Sequence, residues 1–171
     1  MKILLIVLLC SCSQWSGWSE VPTAQVTAEV QESTQEFQDA WINKVSSDTD
    51  SWNQALISIG CPPAFEVIDG GKPIILVGFD TWSDNSPVSG VTDTSRIRIR
   101  SSKDQGVMMD NPSVLLHELG HTFGLEHADP KWGPSILLTP PSRTIQPRDV
   151  EAAACRIGCG PCNEGADPYD K

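Results

Sequence analysis

From Val26 onward the apolar residues Val30, Phe37 and Trp41 follow at spacings of four, seven and four, which predicts an amphipathic helix. The pattern leaves its end open. Trp41 to Val45 reads equally as the first strand of a sheet, followed by a helix over about Asp50 to Ile59 that Gly60 would terminate. Strands are predicted at Phe65 to Ile68 and at Ile74 to Phe79, separated by the turn-forming Asp69-Gly70-Gly71. The unbroken run Ile74-Ile75-Leu76-Val77 suits a strand covered on both faces. Arg96 to Arg100 instead alternates Ile97 and Ile99 with three arginines, a half-buried strand expected at the sheet edge. Farther on, Asn111 is placed to cap a helix with Pro112 in its first turn, and Val114, Leu115, Leu119 and Phe123 supply its apolar packing. Together these elements predict an α+β fold, a twisted mixed sheet with the helix after Asn111 packed beneath it.

Length and charge narrow the class. At 171 residues and 39% hydrophobic content the chain can bury one core and is too short for two ordinary domains. Its net charge of −10 is spread along the whole length, which disfavours nucleic acid as a partner because phosphates would be repelled. A monomer is expected. Residues 1–12, MKILLIVLLCSC, read as an export signal: Lys2 precedes seven apolar residues, Ile3 to Leu9, against the roughly 20 needed to span a bilayer. Leu9-Cys10-Ser11-Cys12 resembles the bacterial lipobox, in which a small residue precedes the acylated cysteine. That resemblance makes Cys12 a lipidation site, with the membrane as a partner through the anchor.

Setting aside Cys10 and Cys12 leaves Cys61, Cys155, Cys159 and Cys162, an even number that allows two disulfides in three connectivities. An exported chain meets an oxidising compartment where such bonds persist. Cys159-Gly160-Pro161-Cys162 also reproduces a CGPC redox dithiol, although it trails a helix instead of opening one. A four-cysteine zinc site is the remaining arrangement.

Candidate chemistry is concentrated in HELGHTFGLEH, residues 117–127, which holds every histidine of the chain: His117, His121 and His127. On a helix, positions four apart lie about 40° apart on one face and roughly 6 Å apart along the axis, so two imidazoles there can converge on one ion. Bond lengths near 2.0–2.1 Å and an undemanding tetrahedral geometry favour Zn2+, with three protein ligands leaving a fourth position for water. Glu118, next to the first ligand, points beside the metal and is placed to act as general base on a water whose pKa the zinc lowers to about 7. Gly124 can end the helix in a left-handed conformation and turn His127 back toward the other two. Asp84, Asn85 and Asp93 offer oxygen ligands for Ca2+ in the loop before the arginine-bearing strand.

These residues resemble HExxHxxGxxH, the extended zinc signature of the metzincin metallopeptidases. In that family a tight turn carrying methionine lies beneath the zinc. Here the matching stretch, Pro134-Ser135-Ile136-Leu137-Leu138-Thr139-Pro140, has no methionine, so Leu137 or Leu138 stands in its place. A leucine-for-methionine swap usually costs under about 1.5 kcal/mol. Ile145 to Ala152 resembles the start of the final helix of the matrixin branch, and Pro147 suits that start. The resemblance implies a zincin-like fold with a zinc-binding active-site helix, a C-terminal helix and an edge strand that pairs with extended substrate. The arginines of 96–100 serve equally to guard such an edge against aggregation, and Pro140 and Pro141 would form part of the cleft wall. The expected organisation is residues 1–12 as signal, 13–40 as tether or N-terminal helical segment, 41–160 as catalytic domain and 161–171 as a polar tail. The expected activity is hydrolysis of a protein or peptide substrate by an exported zinc endopeptidase. The alternatives are a non-catalytic zinc-binding surface lipoprotein and a disulfide-exchange protein.

Overall fold

A computed structural model of the chain describes residues 24–28, 35–68, 75–80, 90–92, 96–100, 113–138 and 141–162. Among the described residues five strands, β1 (Ala24–Ala28), β2 (Phe65–Val67), β3 (Ile75–Asp80), β4 (Gly90–Thr92) and β5 (Arg96–Arg100), form one sheet in the order β2-β1-β3-β5-β4. All neighbouring pairs are parallel except β4 with β5, which is antiparallel. Among the described residues three α-helices accompany the sheet: α1 (Gln35–Ser58), α2 (Ser113–His121) and α3 (Pro147–Arg156). The architecture is a small mixed sheet with helices, α+β as expected.

The N-terminal elements correct the sequence reading. Val26 does not open a helix. It sits fully buried in β1, a strand paired on one side with β2 and on the other with β3. Nor is Trp41 to Val45 a strand, because it lies inside α1, whose inward side carries Trp41, Val45, Asp48, Trp52 and Leu56 at steps of three or four, with Thr49 beside Asp48. Two members of that stripe are polar, which hides it from a hydrophobic count. Both are accommodated in the helix: the Thr49 hydroxyl donates to the Val45 carbonyl at 2.8 Å, and Lys44 donates to Asp48 one turn away. A domain boundary at residue 41 would therefore cut α1, and the strand at 24–28 is part of the same sheet.

Gly60 ends the first helix as expected, in the left-handed region at φ +87°, and the Cys61 N–H returns to the Leu56 carbonyl at 3.0 Å. The next four residues are fixed by buried Asn53. Its Oδ1 accepts from the Ala64 and Phe65 N–H groups, both at 2.9 Å, and its amide donates to the Phe65 carbonyl at 2.8 Å, so α1 sets where β2 begins.

The arginine-bearing strand is also placed differently. β5 lies inside the sheet between β3 and β4, and among the described strands the edge on that side is β4, a three-residue Gly-Val-Thr segment with little strand signal of its own. The alternation read from the sequence holds, with Ile97 and Ile99 buried and Arg96 and Arg98 half-buried. Ile97 and Ile99 join Val26, Trp52, Leu56, Leu119, Phe123, Leu125 and Leu137 in the core between sheet and helices.

Candidate metal centre

Helix α2 is buried along its length from Ser113 to Gly120, and His121 at its end is half-buried. Trp52 of α1 fastens it: the indole N–H donates to the Leu116 carbonyl at 2.9 Å, and the ring meets Phe123 edge-on at 5.0 Å. Gly120 is where the packing is closest. A Cβ there would lie 2.7 Å from Leu137 Cδ2 and 3.2 Å from Trp52 Cζ2, so only a bare residue admits both side chains. Beyond His121 the chain turns at Gly124, φ +78°, whose N–H donates to the His121 carbonyl at 2.9 Å. This reversal brings Leu125 and His127 back over the helix, as the glycine led us to expect.

The three imidazoles meet. His117 Nε2 lies 3.1 Å from His121 Nε2 and 3.2 Å from His127 Nε2. Nitrogens bound at 2.0–2.1 Å to one tetrahedral ion would stand about 3.3–3.4 Å apart. The opposite ring nitrogens decide the tautomers. His117 Nδ1–H donates to the Ile136 carbonyl at 2.8 Å and His121 Nδ1–H to the Leu125 carbonyl at 2.7 Å, leaving the Nε2 lone pairs aimed at one another. Lone pairs gathered this closely can share a cation, and backbone carbonyls on the far nitrogens are the usual outer support of metal-binding histidines. Burial pushes the His117 imidazolium down to about 4, the charges of its two neighbours push the same way, and the Ile136 bond and the more distant Asp149 charge oppose them. His117 is therefore neutral at physiological pH, the form that ligates. His127 is exposed, so the cluster opens to solvent on one side. The three residues can hold a metal ion.

Glu118 stands apart from the ligand set. Its side chain is buried against β4, where the Thr92 hydroxyl donates to Glu118 Oε2 at 2.6 Å and the absence of a side chain at Gly90 leaves room for the carboxylate. Burial raises this carboxyl to about 6, with the Thr92 bond acting in the opposite sense.

Beneath the helix, Ile136 and Leu137 form a turn, and it is Leu137, fully buried, that packs against Gly120; Leu138 is half-buried at the margin of the core. The turn is anchored by a residue not singled out in the sequence, Asp149 of α3. Its carboxylate, fully buried, accepts from Ser135 Oγ–H at 2.6 Å, Ile136 N–H at 2.9 Å and Gln146 N–H at 2.7 Å. A legible signal existed: Gln146 and Asp149 stand three apart around Pro147, the spacing of a capping box. For Gly90 and Thr92 there was none.

The cysteines pair as Cys61–Cys159 and Cys155–Cys162. Of the three connectivities this one splits the CGPC motif, whose two cysteines take different partners, and it leaves no thiol for a four-cysteine zinc site. Both readings are thereby corrected. The second bridge also ties Cys162, read as tail, to the end of α3. Cys12, Asp84, Asn85, Asp93, Asn111, Pro112 and Pro140 lie outside the described residues. No described helix is long and apolar enough to cross a membrane.

No protein-family model matches the chain, and no curated protein matches it significantly.

Proposed function

We propose that the chain is an exported zinc endopeptidase of the metzincin type, close to the matrixins, with His117, His121 and His127 as ligands and Glu118 as general base. The observation that carries this reading is the convergence of three Nε2 atoms, with a buried carboxylate on the residue that follows the first ligand in the helix. Three nitrogen ligands with solvent on the fourth side are the ligand set of catalytic zinc; structural sites are closed by a fourth protein ligand. The small mixed sheet, the turn at Leu137 and the closing helix α3 support a zincin-like fold. Two disulfides are compatible with an extracellular location, and the signal at 1–12 with an acyl chain on Cys12 would complete it.

Zinc bound there would supply Lewis-acid polarisation of a peptide carbonyl and a more acidic water. Glu118 then takes the proton of the attacking water as the C–O bond forms, and delivers it to the amine nitrogen as the C–N bond breaks. Burial suits it to this, because a carboxylate raised to about 6 is a stronger base than an exposed one and is still ionised at neutral pH.

Leu137, in the place where the family carries methionine, favours a second reading: a zinc-binding surface lipoprotein without turnover. One experiment separates the two. The oxidised domain is assayed for zinc content and for cleavage of a mixed peptide library, with Glu118→Ala as control. Stoichiometric zinc and cleavage abolished by the substitution are expected. Stoichiometric zinc with an intact library overturns the peptidase in favour of the binding protein.

A further inference from the structure

Edge strand β4 meets α2 through two residues on one face. Gly90 and Thr92 are two apart, hence on the same side of a strand, and their cross-strand partners Ile99 and Ile97 are both buried. The Thr92 hydroxyl lies 2.6 Å from Glu118 Oε2 and 3.0 Å from the Glu118 carbonyl, reaching both the side chain and the backbone of one residue. A group that contacts both ends of a side chain restricts the torsions between them. Gly90 completes the restriction: a Cβ there would fall 2.4 Å from Glu118 Oε1 and 2.7 Å from its Cγ. The carboxylate therefore occupies the space that the glycine leaves open, with the hydroxyl beside it.

We infer that Thr92 and Gly90 are positioning residues for Glu118, forming a cradle in β4 that holds the carboxylate in one rotamer against that strand. This rests on Glu118 being the general base, and it assigns β4 a part in the reaction that no ligand spacing could indicate. A base held by one hydroxyl and one unfilled Cβ position is sensitive to small changes at either. A displacement of about 1 Å from reacting geometry can cost a hundredfold in rate. The cradle touches no histidine contact described above, so metal binding should be indifferent to it.

The test compares Thr92→Val, Thr92→Ser and Gly90→Ala in the zinc-loaded protein. For the peptide cleaved fastest by the wild type, Thr92→Val and Gly90→Ala are expected to lower kcat about ten- to a hundredfold with KM and zinc affinity unchanged, and Thr92→Ser to recover most of the loss. Crystal structures of the same proteins give a readout independent of turnover. The Glu118 carboxylate should leave its place in the valine and alanine variants and keep it in the serine variant. A valine variant with Glu118 unmoved, or with wild-type kcat, overturns the inference. So does a loss in KM alone, or a serine variant as impaired as valine. If the wild type cleaves nothing, the peptidase reading fails, while the crystallographic comparison still decides whether the cradle holds Glu118.

Discussion

Removing the Asp149 carboxylate should loosen the metal centre from a distance. In Asp149→Ala three donors, the buried Ser135 Oγ–H and Ile136 N–H and the half-buried Gln146 N–H, lose their acceptor at once. Each costs about 1–3 kcal/mol when left unpaired, and partial relaxation makes about 3–6 kcal/mol a fair total. Against the roughly 5–15 kcal/mol that holds a domain together, that is a large fraction, worth about 10–20 °C in Tm for a chain of this size. Asp149→Asn should cost only about 1–2 kcal/mol, because its oxygen can still serve the two N–H groups and its amide can donate to Ser135. The consequence reaches the histidines because the Ile136 carbonyl, on the residue whose N–H Asp149 holds, accepts the His117 Nδ1 proton at 2.8 Å. Loss of such an outer support typically lowers metal affinity about 10–100-fold. Guanidinium unfolding of the metal-free, disulfide-intact protein measures the first effect, and competition with a chromophoric zinc chelator the second. An alanine variant within about 1 kcal/mol of wild type would refute the anchoring role. Lost stability with unchanged zinc affinity would refute the link to His117.

Other consequences are equally direct. Gly120→Ala should cost about 1–3 kcal/mol through overpacking against Leu137 and Trp52 and should weaken zinc binding, whereas Gly124→Ala meets open space and pays only about 1–2 kcal/mol for its left-handed backbone. Asparagine should recover part of the loss at 124 and none at 120, and equal behaviour at the two sites in thermal melts would contradict this. In the metal-free protein His117, lowered from 6.5 to about 4, contributes stability present above pH 6.5 and lost as pH falls toward 4. Glu118, raised from 4.5 to about 6, contributes stability present below pH 4.5 and lost as pH rises through 6. The two slopes oppose each other between pH 4.5 and 6, so wild type should vary little there, while Glu118→Gln should lose about 2 kcal/mol as pH falls across that window; a flat variant in denaturant titrations at several pH values would count against the assignment. Replacing Cys61 and Cys159 by serine, with a sequence separation of 98, should cost about 4–5 kcal/mol on a chain-entropy view, and replacing Cys155 and Cys162, with a separation of 7, about 2–3 kcal/mol. The reverse order in unfolding titrations would show that entropy of the unfolded chain does not govern these bridges.

What could be read from the sequence was what is local along it. The ligands, the adjacent carboxylate and the reversing glycine fall within residues 117–127, and the helix repeat alone brings His117 and His121 together. Strands β2, β3 and β5 were legible from apolar runs and alternation. The partners of the centre were not. Thr92 reaches Glu118 across 26 residues and Asp149 reaches Ser135 across 14, and neither distance leaves a periodic trace. The first helix is legible only in two pieces, the helical spacing of Phe37 and Trp41 and the helix over about Asp50 to Ile59, because Asp48 and Thr49 occupy the inward side between them and make the buried stripe partly polar. β1 was misread because its one fully buried residue, Val26, fits a helical spacing by accident, and its strand character comes from neighbours on both sides. β4 is three residues long and begins with glycine, so its strand state comes from pairing with β5. Disulfide pairing depends on which chain ends meet in space, which spacing cannot rank.

The Cys61–Cys159 bridge closes the backbone into a covalent ring that contains β2 to β5, both metal-facing segments, Leu137 and Asp149. A single backbone break anywhere inside that ring opens it without releasing a fragment. All three histidines then remain on one molecule, and the damage becomes visible as separate bands only after the sulfurs are reduced. A break between α1 and Cys61 is different in kind: among the described residues no disulfide reaches the piece bearing β1 and α1, and that piece stays against the rest of the core only as long as Trp52, Leu56 and Val26 remain packed.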